Sequence, residues 1–258
     1  MFILPINRDN PVRRVPYILI AVIVANSVVH AVTYVAYTPE LIFRQFGFTP
    51  AQHEWPTLFT SMFLHSGFWH ILGNMWFLWM FGVRVENAFT KWLFLPVYLV
   101  CGLGGAGLHW LLNQQSTVPC VGASGAISGI AGTYLVLFPK SKFDLVIYFR
   151  WTELKTYHTR ATAAVMAWFG EQFLLGLLTQ ALGAGGIAYW AHVGGFATGA
   201  SIGGAFLLVV PKRVLRARER AKPWYMQDAF NKQDDHLTTL NLSSAEPTVG
   251  APTKSKQR

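Results

Sequence analysis

Gly122-Ala123-Ser124-Gly125-Ala126-Ile127-Ser128-Gly129 lies inside an apolar run, residues 121 to 138, where a hydroxyl flanked by small residues needs a reason. Two readings compete. Small residues and serines line ordinary helix contacts in membranes, because they let backbones approach closely. The same serine can be a nucleophile, and a lone Gly-x-Ser-Gly does not separate the two. The deciding context lies in other apolar segments: His65, His70 and Asn74 upstream, and His192 downstream.

Outward from this stretch the chain is lipid-soluble in character, with 52% hydrophobic, 15% aromatic and only 13% charged residues over 258 positions. Apolar stretches recur at about 17 to 36, 57 to 81, 91 to 112, 121 to 138, 162 to 182 and 187 to 209. At roughly 17 to 25 residues, each suits a hydrocarbon core ~30 Å thick. The expected fold is therefore all-α, a polytopic bundle of six transmembrane helices spanning residues 17–210. A cytoplasmic segment, 1–16, precedes it. A tail, 211–258, follows, basic at first and then, from about Asn231, polar enough to be disordered.

The net charge of +9 would suggest nucleic acid in a soluble protein, but the positions of the charges point elsewhere. With the first segment running outward, the inner side receives Arg8, Arg13, Arg14, Arg84, Lys91, Lys140, Lys142, Arg150, Lys155 and Arg160. The ten Lys and Arg of the tail fall on that side too, and of the twenty-one only Arg44 falls outside. This is the positive-inside bias, and it places both termini in the cytoplasm. The partner implied is a lipid bilayer, with no nucleic acid. Met1 to Pro16 is polar and basic rather than a cleavable signal, and no Arg- and Ser-rich amphipathic leader is visible, which favours a bacterial plasma membrane. Cys101 and Cys120 make no disulfide framework and read as small apolar filler.

The polar residues inside the apolar segments carry the functional reading. Fourteen residues separate Ser124 from Phe138, so at ~1.5 Å each the serine stands about 21 Å above the inner edge and ~9 Å below the outer one. His192 enters just below the outer surface in segment six, at similar depth. Gly125 with Gly129, and Gly195 with Gly199, give segments four and six small-residue faces that suit mutual contact. His70 and Asn74 are four apart and share one helical face of segment two. For this pair, intramembrane polarity marks either function or a structural hydrogen bond between helices. His65 stays open between the same two roles. His30, Glu86 and the nearly central Glu171 read as structural, and Lys140 to Arg160 as an inner loop whose apolar patch, Leu145 to Phe149, lies on the membrane surface.

Held within hydrogen-bond reach, Ser124 and His192 would make a nucleophile and its general base. His70 and Asn74 could supply donors to the oxyanion of a tetrahedral intermediate, assisted by the Ser124 backbone N–H. Every Asp lies outside the apolar segments, so a dyad is more economical than a triad, and a protease built on two buried Asp is excluded. There is no His-Glu-x-x-His pattern, and the chemistry calls for no metal or cofactor.

These residues carry a resemblance. Gly-Ala-Ser-Gly at 122 to 125, His-x-x-x-Asn at 70 to 74 with His65 ahead of it, and Ala-His-x-x-Gly-x-x-x-Gly at 191 to 199 together resemble the rhomboid intramembrane serine proteases, over roughly residues 17 to 209. The resemblance implies that Ser124 is the nucleophile, His192 the base and His70 with Asn74 the oxyanion stabilisers. It also implies an endopeptidase that cleaves transmembrane protein substrates near the outer face. Two departures stand out. The first outer loop reads Trp55-Pro56-Thr57 where a Trp-Arg pair is often found. Ser128 occupies the place where some members have a tyrosine packing on the base, so His192 must be oriented by other contacts.

Two other classes remain: a transport path lined by the same polar residues, and a rhomboid-like protein that binds membrane proteins without cutting them. No internal repeat with matching interrupted helices supports the first, and the presence of both Ser124 and His192 disfavours the second. The sequence does not set the oligomeric state. The charge distribution predicts that reporter fusions in the loops 113–119 and 182–186 give an external signal and fusions at either terminus a cytoplasmic one. A cytoplasmic signal from the 113–119 fusion would contradict the six-span topology.

Overall fold

A computed structural model describes residues 2–7, 14–52, 54–89, 91–149, 152–182 and 188–210. The helices are α1 (Tyr17–Ala36), α2 (Pro39–Phe46), α3 (Thr57–Thr60), α4 (Phe68–Ala88), α5 (Lys91–Leu112), α6 (Ser124–Leu137), α7 (Ala161–Ala181) and α8 (Tyr189–Val209). Each of the six apolar stretches contains a long helix or, for α6, a short one, but the count of six spans is not what the helices themselves establish. Four of them, Tyr17–Ala36, Trp92–Leu112, Ala161–Ala181 and Tyr189–Val209, are long and apolar enough to cross a membrane. α4 has the length but carries His70, Asn74, Arg84 and Glu86. α6 has only 14 residues, about 21 Å of helix against a core of ~30 Å.

The chain is also not all-α. Among the described residues three strands, β1 (Phe2–Asn7), β2 (Lys142–Phe149) and β3 (Thr152–Arg160), form an antiparallel sheet in the order β1-β2-β3. Phe2 stands opposite Tyr148 and Asn7 opposite Phe143, while Lys142 faces Arg160, with a register shift at Ile147/Tyr148. The stretch expected to lie as a loop on the membrane surface is thus a hairpin. Its Lys-Phe-Asp-Leu-Val-Ile-Tyr-Phe run is rich in the β-branched and aromatic residues that suit a pleated surface. Phe143 and Val146 are buried, and the Asp144 carboxylate lies 2.7 Å from His158 Nδ1 across the hairpin. β1 occupies the edge, the position in which Pro5, lacking an N–H, is tolerated. The tail 211–258 lies outside the described residues.

Segment two divides where its sequence does. Thr57–Thr60 and a 3₁₀ turn at Ser61–Phe63 end before Ser66-Gly67, and α4 begins at Phe68. At its other end α4 holds the start of α1. The Glu86 carboxylate accepts the N–H groups of Ile18 (3.2 Å) and Leu19 (2.7 Å), satisfying donors that the first turn of a helix leaves open. Asn87 Oδ1 accepts the N–H of Arg14 at 2.8 Å. Arg84 donates to Ser141 Oγ and sits over the Phe138 ring, 4.2 Å from its centroid. Glu86 therefore has a structural role, exercised on another helix.

α6 stands at the centre, with every residue from Gly125 to Tyr134 buried, packed most extensively on α8 and then on α5 and α4. Its contact with α8 is made backbone to backbone. A Cβ on Gly195 would run into the carbonyl oxygen of Gly125, and one on Gly199 into that of Gly129. Thr133 Oγ1 donates to the Gly199 carbonyl at 2.8 Å, tying the same two helices deeper in. Cys101 is a buried free thiol packed where a Cβ on Gly129 would reach. This contact brings the start of α6 beside the start of α8.

Gly199→Leu should therefore lower the stability of the purified protein by about 2 kcal/mol or more, as overpacking of a close contact does. Gly204→Leu, on the same helix with open space around its Cα, should stay near the parent. Thermal unfolding of the two variants side by side checks this, and equal stabilities would contradict the packing.

Candidate functional site

Three backbone connections set the entrance to α6. Phe48 and Cys120 exchange N–H···O bonds of 3.0 and 2.8 Å, the Ala51 N–H reaches the Ser116 carbonyl at 3.1 Å, and the Gly122 N–H reaches the Ser61 carbonyl at 2.9 Å. The loop after α2 is further held by Trp55 against Trp110, their ring centroids 6.1 Å apart. Gly122 adopts φ of +132°, a region that suits glycine. The turn places Ser124 as the first residue of α6. The N–H groups of that first turn have no carbonyl of their own helix to bond, and they carry the positive end of its dipole.

Ser124 Oγ lies 2.8 Å from His192 Nε2 on α8. The other ring nitrogen, Nδ1, lies 2.6 Å from Oε1 of Gln172 on α7. The Trp168 ring, one turn earlier on α7, is tilted toward the imidazole with centroids 6.1 Å apart, and Tyr189 meets it edge-on at 6.5 Å. Ser128 does not bear on His192: its hydroxyl donates to the Ser124 carbonyl at 2.6 Å, within α6. In the absence of a tyrosine at position 128, the base is thus contacted by Gln172 and Trp168 of α7 and by Tyr189 of its own helix.

His70 approaches from the opposite side. A Cβ on Gly122 would stand 3.0 Å from His70 Nε2 and 3.6 Å from Ser124 Oγ, so the two groups flank one small space. His70 Nδ1 accepts the Ser66 backbone N–H at 3.3 Å and lies 3.0 Å from the Ser66 hydroxyl. A backbone N–H can only donate, so in the neutral ring the proton sits on Nε2, the nitrogen near Gly122 and Ser124. Asn74, one turn further along α4, is buried, and its Nδ2 has no hydrogen-bond partner. Both groups have donors to spare.

All four residues singled out in the sequence, Ser124, His192, His70 and Asn74, sit on α6, α8 and α4, with α6 packed against both of the others. His65 is buried in the approach to α4, its ring meeting His70 edge-on at 5.2 Å and His30 edge-on at 6.4 Å. His30 also meets the Tyr34 ring, with centroids 4.6 Å apart. The sequence singles out Glu171, whose charge is costly in lipid, whereas the residue facing the imidazole is the next one, Gln172. The signal available was the spacing of Trp168 and Gln172, four apart on one face of a helix that must lie beside His192. Among the described residues no group of three or more His, Cys, Asp or Glu side chains could hold a metal ion.

The fold and this site define a mostly helical integral membrane protein with a serine–histidine pair at the start of a buried central helix. The family model of the Rhomboid domain matches residues 52–209, more than half of the sequence, and the chain belongs to the rhomboid family. It is 29% identical to RHOMBOID-like protein 1 of Arabidopsis thaliana over 206 residues, 77% of this chain and 48% of the relative. It is 31% identical to Rhomboid protease GluP of Bacillus subtilis over 173 residues, 65% of this chain and 30% of the relative. With Rhomboid protein 1, mitochondrial, of Saccharomyces cerevisiae it shares 28% identity over 173 residues, 64% and 46% of the two chains. The matched region spans about half or less of the length of these relatives.

Proposed function

We propose that this protein is an intramembrane serine endopeptidase that cleaves transmembrane protein substrates near the outer membrane face through a Ser124–His192 dyad. The observation that carries the reading is the 2.8 Å approach of Ser124 Oγ to His192 Nε2 across two helices far apart in sequence. A serine and a histidine meeting by chance in a packed bundle would not also be flanked by spare donors. The names of relatives support the same class, one being a rhomboid protease of Bacillus subtilis.

In this reading Ser124 Oγ attacks the scissile carbonyl carbon while its proton passes to His192 Nε2. The oxyanion takes hydrogen bonds from His70 Nε2–H, Asn74 Nδ2 and the Ser124 N–H at the positive end of α6. His192 then returns the proton to the leaving amine, and a water, deprotonated by the same nitrogen, releases the acyl-enzyme. No cofactor or metal enters the scheme. The proposed setting is a six-span domain, residues 17–210, with both termini in the cytoplasm of a bacterium and the dyad in the outer half of its plasma membrane.

A spanning helix satisfies its own backbone groups, and opening one in lipid costs several kcal/mol per exposed group. Cleavage needs an accessible carbonyl within a few Å of Ser124. The top of the substrate helix therefore unwinds into the polar space around His70, Asn74 and His192, which water must also reach. Substrates should carry Gly, Pro or other weak helix formers in their outer turns, with a small residue at the cut.

Two predictions follow from the assignment of roles. In purified enzyme, Ser124→Ala and His192→Ala should each abolish cleavage, and the double variant should be no worse, because the two act as a unit. Asn74→Ala should keep residual activity, down about 100-fold, since one oxyanion donor is worth ~3 kcal/mol and others remain. Parent-level cleavage by Ser124→Ala would overturn the nucleophile. Replacing the outer Gly and Pro of one substrate by Leu in steps should lower its cleavage rate progressively, and a flat series would contradict the unwinding step.

A further inference from the structure

We infer that Gln172 is the positioning residue of the general base, its side-chain carbonyl holding His192 in the tautomer that can accept the serine proton. This rests on the proteolytic reading above and goes beyond the dyad. Three observations bear on it.

The first is geometric. Gln172 Oε1 lies 2.6 Å from His192 Nδ1, on the far side of the ring from Ser124. A carbonyl oxygen can only accept, so Nδ1 carries the proton and Nε2 presents its lone pair to the Ser124 hydroxyl. During attack the Oγ proton moves to Nε2, the Nδ1 proton stays in place, and the partial charge gained by Nδ1–H strengthens its bond to Oε1. The second is the cost of the alternative. Gln172 is 8% exposed on an apolar helix, where an amide without a partner would be expensive. Its bond to His192 offsets that cost. The third is the treatment of the other imidazole. His70 receives a backbone N–H on its Nδ1 and so keeps its proton on Nε2. Two histidines beside one serine are thus held in opposite tautomers, one as an acceptor and one as a donor, each by the partner on its remote nitrogen.

The position that could have supplied a ring to pack on His192, residue 128, holds a serine turned back onto its own helix. Orientation falls instead to α7, with Gln172 setting the proton and Trp168, one turn away, lying against the ring. Gln172 touches no reacting atom, so its effect must run through His192.

The test compares Gln172→Met, which keeps the length and bulk of the side chain but has no oxygen acceptor, with Gln172→Glu, which keeps the acceptor. Both are measured as full-length purified enzyme on one transmembrane substrate. The Met variant should lose about 30-fold in kcat with KM unchanged, less than the ~10²–10⁴ that a general base supplies in full, because the imidazole itself remains. The Glu variant should stay within about threefold of the parent at its own optimum. Its carboxylate favours the imidazolium, so the base is protonated at higher pH and the acid limb of kcat/KM should move up by about one unit. The other ionisable groups that His192 feels are His70 on α4 and His109 on α5, and Tyr189 lies on its own helix; these are the same in every variant, so the displacement reports on position 172. A Met variant with the parent's kcat, or a Glu variant whose acid limb does not move, overturns the proposal. A loss in the Met variant through misfolding leaves the Glu limb to decide. A parent that does not cleave at all would instead remove the proteolytic reading beneath it, which keeps the two failures distinct.

Discussion

A hydrogen bond between short side chains on two different helices requires those helices to approach almost to backbone contact, and here the approach is made possible by glycine. The carbonyl oxygens of Gly125 and Gly129 occupy the space that a Cβ on Gly195 or Gly199 would need. Ser124 and His192 sit at the open end of this seam, one at the first residue of α6 and the other in the first turn of α8. Ser124 reaches only one atom beyond its Cβ, so a few tenths of an ångström between the helices decides whether its bond to Nε2 exists. Thr133, bonded to the Gly199 carbonyl, keeps the seam closed further down.

The surrounding elements then act on that seam. α4 brings His70 to the space beside Gly122 and Ser124 and carries Asn74 one turn further on, and its far end is anchored to α1 through Glu86 and to the sheet side through Arg84 and Ser141. The loop before α6 is stitched to the loop after α2 by Phe48 and Cys120, which fixes where Gly122 turns. α6 itself need not meet lipid, because α4, α5 and α8 enclose it. That enclosure explains how a helix of 14 residues can be the central one.

Most of this was legible in the sequence, for a physical reason. Polar side chains in apolar segments are costly, so Ser124, His70, Asn74 and His192 each called for a purpose, and the glycine spacings at 125/129 and 195/199 identified which helices would touch. What was not legible depended on partners distant in the chain or on orientation. β2 pairs with β1 across some 140 positions, and an apolar run beside a membrane looks the same whether it lies on lipid or in a sheet. The apolar stretch from 57 to 81 reads as one segment, while the break before α4 at Ser66-Gly67 and the contact of Ser66 with His70 emerge only in three dimensions. Gln172 was hidden behind Glu171, since a formal charge in lipid draws the eye before a neutral amide whose importance lies in which atom it presents.

Covalent capture tests whether Ser124 is a nucleophile activated by His192 without any substrate being known. The purified protein in detergent or vesicles is treated with a fluorophosphonate, digested, and the modified peptide identified by mass spectrometry. A single phosphonylated residue, Ser124, is expected, with labelling lost in His192→Ala. An unmodified Ser124 in folded protein, or modification that is indifferent to His192, would contradict it.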